Sequence, residues 1–199
     1  MSDQRPPAET LASVGSAEVL YRHARPSDAV EVAHLHADSW RAHYRGAYSD
    51  AFLDGDVVDD RVAFWTRRLG SEDPDRFTLL ARSRDGLIGF AHTALAADPE
   101  WGALLENLHV ARCAHRRGVG RRLMGRTAGV LLERSPSEGL HLWVLEQNRA
   151  ARAFYEALGG SHVDSSATPA PGGDPARLAG TPMRRRYAWR DPRVLLAES

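Results

Sequence analysis

Apolar positions recur at two periods along this chain, and the switches between them delimit its elements. Val19 to Ala24 alternates as a first strand. Pro26-Ser27-Asp28 then supplies turn and N-cap chemistry, and Val30, Val32, Ala33, Leu35, Ala37 and Trp40 form the stripe of a helix that runs to about Tyr44. Arg45-Gly46 breaks it, and Ala51 to Leu53 and Asp59 to Leu69 predict further helical pieces. The period returns to two at Phe77 to Arg82 and Leu87 to Thr93, around an Asp85-Gly86 pair whose tolerance of positive φ suits a tight hairpin. Leu104 to Val110 predicts another strand, Arg121 to Arg134 a helix, and His141 to Leu145 a strand. Strand, helix, strand implies parallel neighbours joined by a right-handed crossover. A second helix follows between Asn148 and Gly160, then a short strand at Ser161 to Val163 and a loop from Ser165 to Gly180, rich in Ser, Ala, Pro and Gly. Met183 to Trp189 alternates as a last antiparallel strand that closes the sheet.

The fold class predicted is α/β (α+β), a mixed, mostly antiparallel sheet with helices on both faces. Residues 17–190 form its single domain, Met1 to Ser16 a mobile tail and Arg190 to Ser199 a weakly determined end. The length of 199 residues and the 43% hydrophobic content suit one domain with a real core. No apolar run approaches the roughly 20 residues of a membrane span. The polar start lacks a secretory apolar segment, which predicts a soluble, cytoplasmic protein. Cys113 is the only cysteine, so neither an internal disulfide nor a Cys-rich metal site is expected, and no metal is assigned. With 26 basic and 26 acidic residues there is no global field to draw the chain to nucleic acid or a membrane. Every basic residue is arginine and none is lysine, which excludes a Walker-type phosphotransferase.

The candidate chemistry begins where Leu104 to Val110 leads into His115-Arg116-Arg117-Gly118-Val119-Gly120 and then a helix. That order brings main-chain N–H groups and the positive end of a helix dipole to one spot, a place for phosphate oxygens. Glycines at 118 and 120 permit unusual dihedrals and close approach. A second motif, Asn148-Arg149-Ala150-Ala151-Arg152-Ala153-Phe154-Tyr155 through Gly159-Gly160, follows the strand His141 to Leu145. Together, in this order and at this separation, the two motifs resemble the acetyl-CoA site of the GNAT acetyltransferase superfamily. The resemblance covers roughly Val19 to Trp189 and is strongest from Leu104 to Gly160.

That resemblance implies acetyl-CoA as donor and CoA as product, with a splayed parallel strand pair at the site. His115 stands where the family has Gln or Arg. The turn His115, Arg116, Arg117, Gly118, Val119, Gly120 and Arg121 becomes the pyrophosphate cradle, and the side chains of Arg121, Arg122 and Arg126 read as solvated surface. A bulge commonly found in the family's equivalent of Leu104 to Val110 would leave the backbone of Leu108, His109 and Val110 to bind the pantetheine arm, with one N–H stabilising an oxyanion. Asn148, Ala151 and Phe154 would complete that site, Asn148 also serving as a helix cap. Tyr155 is the implied acid for the leaving thiolate, or a packing residue beside the stripe Ala151, Phe154 and Leu158. Glu106 is the candidate base, acting through water if its pKa is raised, with His109 as substitute and a structural carboxylate as the alternative. Trp40, Tyr44 and Trp65 line an amine pocket, with Asp38 or Asp54 attracting a cation, or belong to the core. The acceptor implied is a small amine or a peptide N-terminus. A homodimer and a non-catalytic acyl-CoA sensor both stay open.

Overall fold

The computed structural model describes residues 19–135 and 139–198, so the expected tail at Met1 to Ser16 lies outside the described residues. Seven strands form one sheet: β1 (Leu20–His23), β2 (Arg76–Ser83), β3 (Gly86–Asp98), β4 (Gly102–Val110), β5 (Leu140–Leu145), β6 (Ser161–Ala167) and β7 (Met183–Trp189). Their order is β1-β2-β3-β4-β5-β7-β6. Only β4 and β5 are parallel, and the crossover between them is the helix α4 (Val119–Arg134). The remaining helices are α1 (Ala29–His43), α2 (Asp50–Asp54), α3 (Val57–Gly70) and α5 (Arg149–Ala157).

Strand alternation divides the apolar residues between two layers. Phe77, Leu79, Ala91, Leu105, Leu142 and Tyr187 face α4 and α5, meeting Leu123, Met124, Leu131 and Tyr155. Leu80 and Phe90 point the other way, against Val32, Ala33 and Trp65 of α1 and α3. A smaller aromatic cluster of Trp40, Tyr48, Phe52 and Leu53 joins α1 and α2 to Leu145 of β5. None of the helices among the described residues is long and apolar enough to cross a membrane.

Three features of the C-terminal third differ from the sequence reading. β7 does not close the sheet at its margin but lies between β5 and β6. β6 extends to Ala167 and takes the first residues of the expected loop. Its sequence, Ser-His-Val-Asp-Ser-Ser-Ala, shows little apolar alternation because an edge strand is largely solvated and polar side chains discourage further pairing. The chain after Trp189 is ordered as well. Pro192–Glu198 forms a 3-10 helix against α4, and Leu195 enters the main core at 1% exposure.

The α1–α3 layer buries three histidines, His36, His92 and His109. Trp65 donates its indole N–H to His36 Nδ1 at 2.9 Å, and Ser39 Oγ lies 2.7 Å from His109 Nδ1. Burial, reinforced by neighbouring His43 and Arg61, pulls His109 from 6.5 to about 3. Burial, with His109, Arg61 and His92 adding to it, holds His36 well below its usual value.

Leu195→Ala is expected to cost about 2–4 kcal/mol in urea unfolding. A loss under about 0.5 kcal/mol, typical of surface sites, would show that the terminal turn is not part of the core. An unfolded histidine takes a proton near 6.5, whereas folded His109 stays neutral down to about 3. Its contribution is therefore full above pH 6.5 and declines as the pH falls toward 3. The urea midpoint should drop below pH 6.5, with His109→Gln flattening that limb. An identical pH profile in the variant would contradict this linkage.

Candidate active site

β4 and β5 run side by side for only three residue pairs, Ala103 with Leu140, Leu104 with His141 and Leu105 with Leu142. Beyond these, the strands continue to Val110 and Leu145 without pairing each other. The irregularity on the other edge of β4 accompanies this divergence. Thr93 faces Leu105 and His92 faces Asn107, so Glu106 is one residue too many, a bulge. It resets the alternation. Ala103 and Leu105 point into the α4 layer before it and Leu108 and Val110 after it, while His109 turns toward Ser39 of α1. Leu108 to Val110 are paired with β3 along one edge, leaving the main-chain edge toward β5 without a strand among the described residues. Such an edge presents N–H and C=O groups to any extended polar chain that enters.

The turn after Val110 forms the second part of the site. Arg116 and Gly118 have φ of 59° and 78°, with Arg117 between them outside the positive region. Alternation of this kind points successive N–H groups toward one centre, an anion-binding nest at the start of α4. The two glycines serve different purposes. At Gly118 a Cβ would meet nothing within 4 Å, so the left-handed backbone alone requires glycine and the space outside remains open. At Gly120 a Cβ would lie in ordinary contact, 3.4 Å from Phe154 Cζ and 3.7 Å from Val110 Cγ2, which places this glycine where α5 and β4 meet the helix start. His115 Nε2 lies 2.9 Å from the Val110 carbonyl oxygen and ties the loop to the strand end. Val119 is buried, Arg121 half-buried, and Arg116 and Arg117 are exposed.

On α5, Asn148 accepts a hydrogen bond from the Ala151 N–H at 3.1 Å, which commits its side-chain oxygen to the helix cap. Ala151 and Phe154 pack against the main core, and Tyr155 is 8% exposed. Burial, followed by the nearby Tyr44 hydroxyl, raises the Tyr155 pKa, so it stays a phenol throughout the neutral range. α5 and α1 cover opposite faces of the sheet. Tyr44 lies just beyond the C-terminal end of α1.

On the α1 side, Tyr44 and Tyr48 meet at a tilt with ring centres 4.8 Å apart, and Trp40 meets Tyr48 edge-on at 5.0 Å. Trp40 is buried beneath the Arg61 guanidinium at 4.3 Å and backs the half-buried Tyr44. Burial lifts Tyr44 to about 12, with Trp40 acting in the opposite direction. Trp65 is fully buried in the α1–α3 core, away from any pocket surface. Neither Asp38 nor Asp54 offers an unpaired charge for a cationic acceptor. Asp38 is exposed and 3.7 Å from Arg41, and Asp54 pairs with Arg45, which also holds Asp50 at 2.6 Å.

Glu106 does not have the raised pKa that a neutral-pH base requires. Burial alone would raise it, but His92 Nε2 at 3.3 Å and Arg76 Nη1 at 2.7 Å outweigh burial and bring it to about 2. Sequence reasoning did not single out Tyr48 or Trp143. Trp143 carries the guanidinium carbons of Arg184 and Arg186 at 4.1 and 4.6 Å from its ring centre. The parity of β5 holds the only advance signal, because Leu140, Leu142 and Val144 are core residues and Trp143 falls between them.

Comparison with known proteins agrees with this arrangement. The sequence model of the acetyltransferase (GNAT) family matches residues 30–160. A probable N-acetyltransferase of Mycobacterium tuberculosis is 28% identical over 141 residues, covering 69% of this chain and 77% of the relative. The PaiA N-acetyltransferase of Thermoplasma acidophilum, solved in complex with coenzyme A, superimposes with a TM-score of 0.67 at 18% identity, covering 86% of this chain and 99% of its own. NAA60 of Arabidopsis thaliana, solved with a bisubstrate analogue, gives 0.62 at 17% identity, with 86% and 97% covered. The matched region holds the opened strand pair, the nest and the capped helix with its phenol, and the chain belongs to the GNAT family of acetyltransferases.

Proposed function

We propose that the chain moves an acetyl group from acetyl-CoA to a primary amine by direct attack in a ternary complex. The observation that carries this reading is the unpaired edge of Leu108 to Val110, which leads directly into the nest at Arg116 to Gly118. The bare α-carbon of Gly118 and the open space around it fit a phosphate held by main-chain N–H groups. Relatives with the same fold have been solved with coenzyme A and with acetyl-CoA. The Mycobacterium relative is described as a probable N-acetyltransferase.

Acetyl-CoA supplies an activated thioester carbonyl. The chain positions and polarises it. The N–H groups of the nest hold the pyrophosphate, and the edge of β4 pairs with the amide groups of the pantetheine arm. A main-chain N–H from that edge takes up the charge that grows on the carbonyl oxygen. Tyr155 remains protonated and donates to the departing sulfur. An ammonium with a pKa near 10.4 costs roughly 4–5 kcal/mol to neutralise at pH 7. Glu106 at about 2 and His109 at about 3 are weak bases for that step. The proton therefore leaves through water, with the partly accessible Glu106 carboxylate orienting it as a fixed charge.

Gly118→Val places a β-branched residue at a φ of 78° and crowds the nest. Calorimetry should show at least about a tenfold loss of CoA affinity, the worth of one or two hydrogen bonds. Unchanged affinity would move the phosphate site elsewhere. Tyr155→Phe should reduce kcat by about a hundredfold or more while leaving the KM for acetyl-CoA nearly constant. Normal turnover, followed as thiol release, would assign Tyr155 to packing alone.

A further inference from the structure

The acceptor side of the opening carries an unbalanced positive charge. Leu145 belongs to the α1–α2 cluster, and Trp143, two residues earlier on β5, shares its face. Arg184 is paired in register with Leu145 and Arg186 with Trp143, beyond the last residue pair that joins β5 to β4. Both guanidinium groups lie against the indole, but their partners differ. Arg186 bonds Asp98 at 2.9 Å and lies 3.8 Å from Asp164. Arg184 donates its Nε–H to Ser166 Oγ at 3.0 Å and, among the described residues, forms no ion pair with a carboxylate.

The surroundings compensate for it only in part. Burial, and then Arg186, pull the Arg184 pKa below its usual value, while Tyr48 and Asp164 act in the other direction. Tyr48 in turn contacts Tyr44, with ring centres 4.8 Å apart. Nearby carboxylates already have arginine partners: Glu146 holds Arg185 at 2.6 Å, Asp54 holds Arg45, and Asp60 holds Arg61 and Arg177. An adjoining cleft of about 410 Å³ is also rich in arginine, lined by Arg149, Arg152 and Arg185 beside Gly46 and Gln147.

Resting on the acetyl-transfer reading above, we propose that the acceptor is an amine that also carries a carboxylate or phosphate, and that Arg184 binds this anionic group beside Trp143. A guanidinium flattened on an indole keeps its in-plane N–H groups free to grip an oxyanion, and the stack limits the rotamer freedom lost on binding. A polyamine would meet a half-buried cation with no carboxylate to offset it.

The test follows thiol release from acetyl-CoA with matched acceptors: glycylglycine against its C-terminal amide, phosphoethanolamine against ethanolamine, and putrescine. The anionic member of each pair should have a kcat/KM higher by about tenfold to a hundredfold, the range of a charge-assisted hydrogen bond. Arg184→Gln should bring each pair to near parity, mainly through KM, and Arg184→Glu should turn the preference toward putrescine. Parity in the wild type, a preference for putrescine, or an anionic preference that survives in Arg184→Gln would each overturn the assignment. If the variants do not fold, the wild-type ratios decide. No release with any amine while CoA still binds would reject acetyl transfer itself, whereas release only with neutral or cationic amines would reject the acceptor class alone.

Discussion

The site depends on two parallel strands that stop being neighbours after Leu105 and Leu142. Ladder hydrogen bonds given up inside a sheet are expensive unless the freed groups find other partners. The chain limits that cost in two ways. Hydrogen bonding along the far edge of β4 continues to Val110 on β3, so the strand keeps its course after leaving β5. Glu106, the extra residue, is tied to Arg76 and His92, which hold the bulge in one geometry. A carboxylate in that position stabilises the defect through the same contacts that make it a poor base. Its structural and its chemical readings thus have one electrostatic origin.

Around the opening, burial acts on every titratable group in the direction of neutrality. Tyr44 and Tyr155 rise, and His36 and His109 fall. The interior thereby becomes a low-charge space in which main-chain dipoles count for more than they would in water. Formal charge is kept apart in ion pairs, at Asp54, Glu146 and Asp98 on the rim and, further in, between Arg61 and Asp60 and between Arg76 and Glu106. That separation suits a reaction in which charge appears briefly on a carbonyl oxygen and a sulfur.

The local signals were legible in the sequence. The period-two runs, the Asp85-Gly86 hairpin, the crossover through α4 and the glycine-bearing turn all act over short spans, where residue type limits backbone conformation. Pairing partners across the chain were not. Nothing local distinguishes a closing strand from one inserted between β5 and β6, so the position of β7 emerged only with the fold. β6 was partly hidden because a solvated edge needs little apolar alternation, and Leu195 because one buried side chain in a short turn makes no period. At the site, Gly118 and Gly120 are alike in sequence, but only Gly118 has a left-handed backbone that favours glycine, whereas Gly120 lies where α5 and β4 meet the helix start. The surroundings of Glu106 depended on Arg76 and His92, which reach it from two other strands.

The absence of lysine has a consequence on the acceptor side that composition alone could not reveal. Guanidinium groups lie over aromatic rings at Trp40, Phe52, Trp143 and Trp101, where a flat cation can stack while its edge still bonds a carboxylate. An ammonium is a compact point charge and does not combine these contacts in the same way. With basic and acidic totals equal, the chain has no overall preference for an anionic partner. A local asymmetry arises instead from strand register, which gives Arg186 the carboxylates of Asp98 and Asp164 and leaves Arg184 with a serine. The charge left over at this opening is therefore a property of pairing geometry in the sheet, and a residue count that sums to zero is compatible with a directed field at one face.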